Sequence, residues 1–238
     1  MDLPIYVINL PASTERRRAM EEQLRRVGAT AQFFPAIDGR QIRTGLSPEL
    51  CASDLTDGEI GCYLSHVALW EKVATSLAKG AVILEDDVTL TDDFLAVCQE
   101  LGSVPLRYDL VRLGSLRHTK GRKLLDLANG RSILLPAEAS DGTYGYLVTR
   151  AGAERLLKLL AEPRAPIDRE LNLYWEHRLN VLLLAPGIVE HDTTMPSTIA
   201  PTGRAAIRTS LPLIPRVIRS IRKRFRMHLI LRSVTRES

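Results

Sequence analysis

The chain has 238 residues, 45% apolar and 25% charged, the balance of a globular protein with room for one large domain or two small ones. No apolar run reaches the ~18–20 residues that a membrane span requires, and the N-terminus shows no basic-then-apolar leader. Net charge is +4 but uneven: from Gly203 onward ten arginines and lysines face Glu237 alone, a local +9, which leaves the first 202 residues at −5.

The three cysteines, Cys51, Cys62 and Cys98, are odd in number and widely spaced. They read as free thiols of a reducing cytosol and offer no zinc motif. The shift in charge near residue 203 divides the chain into a body, 1–202, and a basic tail, 203–238.

Ile5 to Leu10 predicts a strand, broken by Pro11, with a helix beginning at Ser13 or Thr14 and closing at Gly28. Arg16, Arg17 and Arg18 crowd its first turn, where cations oppose the helix dipole, so at least one is expected to meet an anion. Ala31 to Ile37 predicts a second strand, and residues 40–55 a loop. Thr56-Asp57-Gly58-Glu59 matches a capping box, which gives Glu59 a structural role. The helix it opens carries Ser65 and His66 and runs toward Gly80.

Ala81-Val82-Ile83-Leu84 then leads straight into Glu85-Asp86-Asp87. A short continuous apolar run predicts a strand buried on both faces, in a parallel sheet. Ligand sites of open α/β sheets lie beyond the carboxyl ends of such strands. Three acids there repel one another unless a cation sits among them, and a hard divalent ion is the simplest one. Strand alternation points Glu85 and Asp87 one way and Asp86 the other. A solvated acidic turn is the competing reading.

Further along, a helix is predicted from Thr91 to Gly102, strands over 109–114, 132–135 and 145–149, and a helix over 150–161. Another helix is expected from Arg169 to His177 with Asp168 as its N-cap. A strand over 179–184 precedes Glu190-His191-Asp192, where imidazole beside carboxylates completes a divalent-metal site or forms a surface loop. In the tail, Ile214, Val217, Ile218, Ile221, Phe225 and Leu229 fall on one helical stripe flanked by arginines. A basic amphipathic helix of this kind reads as binding an anionic membrane surface, with docking on the acidic body or on a partner as the competing readings. The tail has one aromatic and no stacking series, so nucleic acid is not an expected partner.

The blocks Ile5–Leu10 with Glu15-Arg16-Arg17, Phe34-Pro35-Ala36-Ile37-Asp38-Gly39, Leu55-Thr56 through Gly58-Glu59-Ile60-Gly61-Cys62-Tyr63-Leu64-Ser65-His66, and Ile83–Val88 occur in a distinctive order. A fifth, weaker block is Gly142–Val148 with Ala151-Gly152-Ala153. With these residues the chain resembles glycosyltransferase family 25, the bacterial lipooligosaccharide and lipopolysaccharide sugar transferases related to collagen galactosyltransferase domains.

The resemblance implies an α/β, GT-A-like single domain over 1–202, with a mixed, mostly parallel central sheet flanked by helices. It implies an inverting transfer of a hexose, galactose first, from a UDP-sugar to a lipid-linked oligosaccharide or other glycan, with Mn²⁺ or Mg²⁺. Asp87 is then the first metal ligand, joined by Glu85 and, by analogy, His191. Glu85 or Asp86 contacts the ribose or orients the metal shell. Asn9 and Asp38 are candidates for uridine and ribose, and Arg16 and His66 for the nucleotide or diphosphate. Asp168 is the expected general base, with Asp141 second. The implied place of action is the cytoplasmic face of the inner membrane, with the enzyme held peripherally. The rival reading is a non-catalytic sugar- or partner-binding module of the same fold.

Overall fold

The computed structural model of the protein describes residues 3–42, 45, 54–115, 120–137, 142–192 and 213–235, with side chains from 222 onward in the last stretch. Ten strands are seen among these residues: β1 (Ile5–Asn9), β2 (Gln32–Pro35), β3 (Gly80–Glu85), β4 (Val88–Leu90), β5 (Leu110–Arg112), β6 (Gly121–Asp126), β7 (Ser132–Pro136), β8 (Gly145–Thr149), β9 (Val181–Ala185) and β10 (Val189–His191). Eight form one sheet in the order β2-β1-β3-β8-β5-β9-β7-β6, and β4 and β10 form a separate ribbon. The helices are α1 (Thr14–Arg26), α2 (Gly39–Ile42), α3 (Asp57–Ala74), α4 (Phe94–Leu101), α5 (Arg150–Leu160), α6 (Ile167–Asn172), α7 (Tyr174–His177) and α8 (Leu213–Val234).

The sheet is mixed and flanked by helices, as anticipated. Its balance differs from the expected parallel majority. β1 runs parallel to β2 and β3, and β5 to β9, whereas the other four pairings are antiparallel. The cause is the β6–β7 excursion, which returns the chain so that β8 enters between β3 and β5 in the opposite sense. The apolar run Ala81–Leu84 therefore reports burial on both faces, which is complete, and not strand direction.

Local chemistry fixes the elements nearest the site. Gly28 adopts φ +67° just beyond α1 and closes it, as predicted. The capping box at the start of α3 is formed: Thr56 N–H donates to Glu59 Oε2 at 2.8 Å and Glu59 N–H to Thr56 Oγ1 at 3.2 Å. α3 buries Tyr63, His66, Val67, Trp70 and Val73 against the sheet and α5.

Two expectations need correction. The helix expected over 169–177 is the pair α6 and α7, and its N-cap is Pro166, not Asp168. Pro166, which lacks an N–H to satisfy, starts the helix two residues early, so Asp168 sits in its first turn. The loop expected around His191 is β10, which pairs His191 with Val88. Where α8 is described, both tail readings meet: Ile230 and Val234 are buried against the body, while the stripe residues Phe225 and Leu229 are 65% and 43% exposed. The docked side is held by Lys223 Nζ donating to Ala137 O, Arg226 Nη1 to Glu176 O, and Ser233 Oγ to Asn180 Oδ1.

One close approach shapes the rim of the site. A Cβ on Gly61 would lie 2.4 Å from Ile37 O and 2.8 Å from Gly39 N, and a Cβ on Gly39 would lie 1.9 Å from Asp57 O. Backbone meets backbone here, so the segment after β2 rests directly on the first turns of α3. Gly61→Ala is expected to cost about 1–3 kcal/mol by overpacking, read from urea unfolding. A change within about 0.5 kcal/mol, the range of ordinary surface substitutions, would show that this approach is not constrained.

A candidate active site beyond β1 and β3

β1 and β3 are parallel neighbours, with Ile8 opposite Glu85. Their carboxyl ends therefore reach the same edge of the sheet. A cavity of about 580 Å³ opens there. Its wall includes Arg16 from α1, Asp38 and Arg40 after β2, Asp57, Cys62 and His66 from α3, Glu85, Asp86 and Asp87, and His191 from β10.

The three acids have different partners. Asp86 is committed on both oxygens: Asn9 Nδ2 donates to Oδ2 at 2.7 Å and Arg16 Nη1 to Oδ1 at 2.8 Å. Arg16 Nη1 also reaches Asp87 Oδ2 at 3.2 Å. The expected division, Glu85 and Asp87 against Asp86, does not hold, because the strand ends at Glu85 and alternation ends with it. Glu85 instead faces α3, with Oε1 3.6 Å from His66 Nε2. Asp87 faces the ribbon, with Oδ2 3.7 Å from His191 Nε2 and its carbonyl accepting from Asp192 N–H at 2.8 Å.

Other anticipated residues are placed as follows. Asn9 spends its amide nitrogen on Asp86 and on Ser13 O. Asp38 lines the cavity and is paired with Arg40 at 2.9 Å, which holds its carboxyl below the usual range. Asp168 is not part of the cavity wall, but its charge is felt at the Cys62 thiol on that wall. Asp141 lies outside the described residues. Cys62, Asp57 and Arg40 are wall residues that the sequence reading did not single out; their signal was the distinctive block itself, which contains Asp57 and Cys62.

Two donor sets suit different ions. Asp87 Oδ1 is buried and has no hydrogen-bond partner. Its other oxygen, Oδ2, lies 3.7 Å from His191 Nε2, a carboxylate–imidazole pair of the donor types that suit a divalent cation. Cys62, His66 and Glu85 also lie together, their ligand atoms within 4.8 Å. Burial pushes the Cys62 thiol well up, reinforced by Glu85 and Asp168. A thiol that keeps its proton is a poor ligand.

The comparisons with known proteins agree with the blocks noted above. The model of "Glycosyltransferase family 25 (LPS biosynthesis protein)" matches residues 2–171. The chain belongs to glycosyltransferase family 25. It is 30% identical over 199 residues to a glycosyltransferase 25 family member of Anopheles gambiae, covering 74% of this chain and 32% of that protein. It is 28% identical over 186 residues to procollagen galactosyltransferase 1 of Danio rerio, covering 70% and 30%. It is also 28% identical over 193 residues to a probable inactive glycosyltransferase 25 family member 3 of Bos taurus, covering 74% and 32%. The chain thus spans about a third of the length of these family 25 relatives. The apo-form glycosyltransferase GlyE of Streptococcus pneumoniae superposes with a TM-score of 0.45 at 11% identity, over all of this chain and 66% of that one.

The buried acids carry a pH signature. Asp87 is pushed up to about 6, first by burial and next by Glu85, with Arg16 and His191 opposing. A raised acid pKa means that the folded protein holds the proton more tightly than the unfolded chain. The stability this group contributes is complete below the unfolded carboxylate range and is lost as pH climbs through about 6. Asp87→Asn should therefore melt higher than wild type above pH 6, with the gain vanishing toward pH ~4, the ordinary range. A gain independent of pH, or a loss at high pH, contradicts the electrostatic account.

Proposed function

We propose that the chain is an inverting, divalent-metal-dependent transferase. It moves a hexose, galactose first, from a UDP-sugar to a lipooligosaccharide, lipopolysaccharide or other glycan acceptor. The observation that carries this reading is the charge of the cavity. Asp38, Asp57, Glu85, Asp86 and Asp87 line it against Arg16 and Arg40. Both arginines are engaged with those acids, Arg16 with Asp86 and Asp87 and Arg40 with Asp38. An anionic diphosphate gains little from such a wall without added positive charge.

Asp87, Glu85 and His191 would hold the metal. When bound, Mn²⁺ or Mg²⁺ supplies charge that offsets the diphosphate as UDP departs. Asn9 and Arg16 hold both oxygens of Asp86 in place. Asp38 is placed at the rim for a ribose hydroxyl. Inversion needs a base for the acceptor hydroxyl, whose oxygen bonds to the sugar carbon as the bond to the diphosphate breaks. Asp168 is proposed for that proton, with Asp141 second. Support for a galactosyl donor comes from the relative named procollagen galactosyltransferase.

A membrane-linked acceptor suits the tail. Exposed Phe225 and Leu229 on α8 lie with exposed Arg222, Arg224 and Arg232. We assign this side to an anionic surface, the cytoplasmic leaflet where lipid-linked glycans are extended, because apolar insertion and basic charge act there together. Among the described residues no helix is long and apolar enough to cross a membrane, so attachment would be peripheral. Relatives named as inactive favour the second reading, a non-catalytic module.

Two measurements test these assignments. A screen of UDP-galactose, UDP-glucose and UDP-N-acetylhexosamines for UDP release should show turnover with Mn²⁺. That turnover should fall by at least about 100-fold in Asp87→Ala and be abolished by EDTA. UDP release untouched by chelator overturns metal dependence, and no release with any donor favours the module. Separately, Phe225→Asp with Leu229→Asp should cut sedimentation with phosphatidylserine vesicles while leaving UDP release intact. Unchanged sedimentation removes the membrane assignment.

A further inference from the structure

We infer that the hydrogen bonds of Trp70 and Tyr146 make His66 Nδ1 an acceptor and so fix the ring proton on Nε2, and that this fixed donor positions the carboxylate of Glu85. The functional half of this inference rests on the transferase reading above; the tautomer half does not. Trp70 and His66 are four residues apart on α3 and share one face. Tyr146 lies on β8 directly opposite Ile83. Ile83 and Glu85 point to the same side of β3, so Tyr146 and Glu85 meet the same face of α3.

The hydrogen bonds determine where the protons sit. Trp70 Nε1 donates to the Tyr146 hydroxyl at 2.9 Å, and an indole nitrogen can only donate. The same hydroxyl lies 2.9 Å from His66 Nδ1. Burial raises the Tyr146 hydroxyl well above its ordinary range, so it keeps its proton. Having accepted from Trp70, it directs that proton to His66 Nδ1. Were Nδ1 the donor, the phenol would receive two donors and its own proton would have no acceptor among the described residues, a costly state in a buried site. Nδ1 therefore accepts, and the ring proton sits on Nε2.

That proton points at Glu85. His66 is wholly buried, and Nε2 has no hydrogen-bond partner. Glu85 Oε1, at 3.6 Å, is just beyond hydrogen-bond reach. A shift of about 0.7 Å brings it to the usual ~2.9 Å. The Glu85 side chain is partly exposed and free to make that shift. An unpartnered buried donor on one side and a partly exposed carboxylate on the other would draw together, which leaves the second Glu85 oxygen for the cavity. It also removes His66 from the Cys62–His66–Glu85 trio as a metal ligand, since a protonated Nε2 has no lone pair to give. Tyr146 and Trp70 do not line the cavity. They are positioning residues acting through His66.

The test is a ¹⁵N–¹H correlation spectrum of the full chain, with the His66 signal assigned by its loss in His66→Gln. We expect the Nε2–H pattern, with Nδ1 as acceptor, in wild type. Tyr146→Phe should abolish that preference and lower kcat/KM for the sugar donor by roughly 10–100-fold, the usual effect of removing an outer partner from an oriented ligand. His66→Gln, whose amide nitrogen can still donate toward Glu85, should retain more activity than His66→Ala at matched melting temperature. An Nδ1–H pattern in wild type overturns the lock. Unchanged kcat/KM in folded Tyr146→Phe, or equal activity of His66→Gln and His66→Ala, overturns the positioning role. Absence of turnover in wild type overturns the transferase reading and the functional half with it, while the spectrum still decides the tautomer.

Discussion

Three carboxylates in succession at the end of a buried strand repel one another, and the site is organised around what offsets that repulsion. Arg16 reaches both Asp86 and Asp87 from α1, and Asn9 adds a second donor to Asp86. One guanidinium in the first turn of a helix is poorly placed with respect to the helix dipole, so its position is explained by the acids it meets. The offset is incomplete. Asp87 remains raised toward about 6, and its Oδ1 has no partner. That incomplete offset is the ground on which a divalent cation is proposed.

The sheet delivers these groups, and the sequence shows how far that can be foreseen. The apolar run before Glu85 marked a strand buried on both faces, and the capping box marked the start of α3, because both depend on adjacent residues alone. The antiparallel insertion of β8 was not legible. Its direction depends on the β6–β7 excursion, whose strand β6 is polar and mostly exposed and so gives no periodic signal. The early start of α6 turned on Pro166, which starts a helix as readily as it ends one, and the break before α7 falls at Leu173, which carries no breaker signal in the sequence.

The site divides in the same way. The acids, Arg16 and His66 were legible from local pattern and resemblance. Their partners were not, since Arg16 and Asp86 are 70 residues apart and His66 and Tyr146 are 80 apart. His191 was noted for its acidic neighbours in sequence, Glu190 and Asp192. The structure places it by β-pairing, with β10 setting it opposite Val88 and beside Asp87. Family membership covers all of the site but one residue: the matched region, residues 2–171, contains every wall residue except His191. α8 lies beyond that region. Where it is described, one side of it docks on the body through Ile230 and Val234, while Phe225 and Leu229 are exposed.

The central claim is that the cavity's negative wall accepts a sugar donor's diphosphate only together with a divalent cation. Calorimetric titration of UDP into the protein, with Mn²⁺ and then with excess chelator, tests it without reference to acceptor or turnover. Binding that is seen with Mn²⁺ and lost with chelator is the predicted result. UDP binding of equal strength in both conditions would contradict the account, because it would mean that the protein's own residues neutralise the diphosphate.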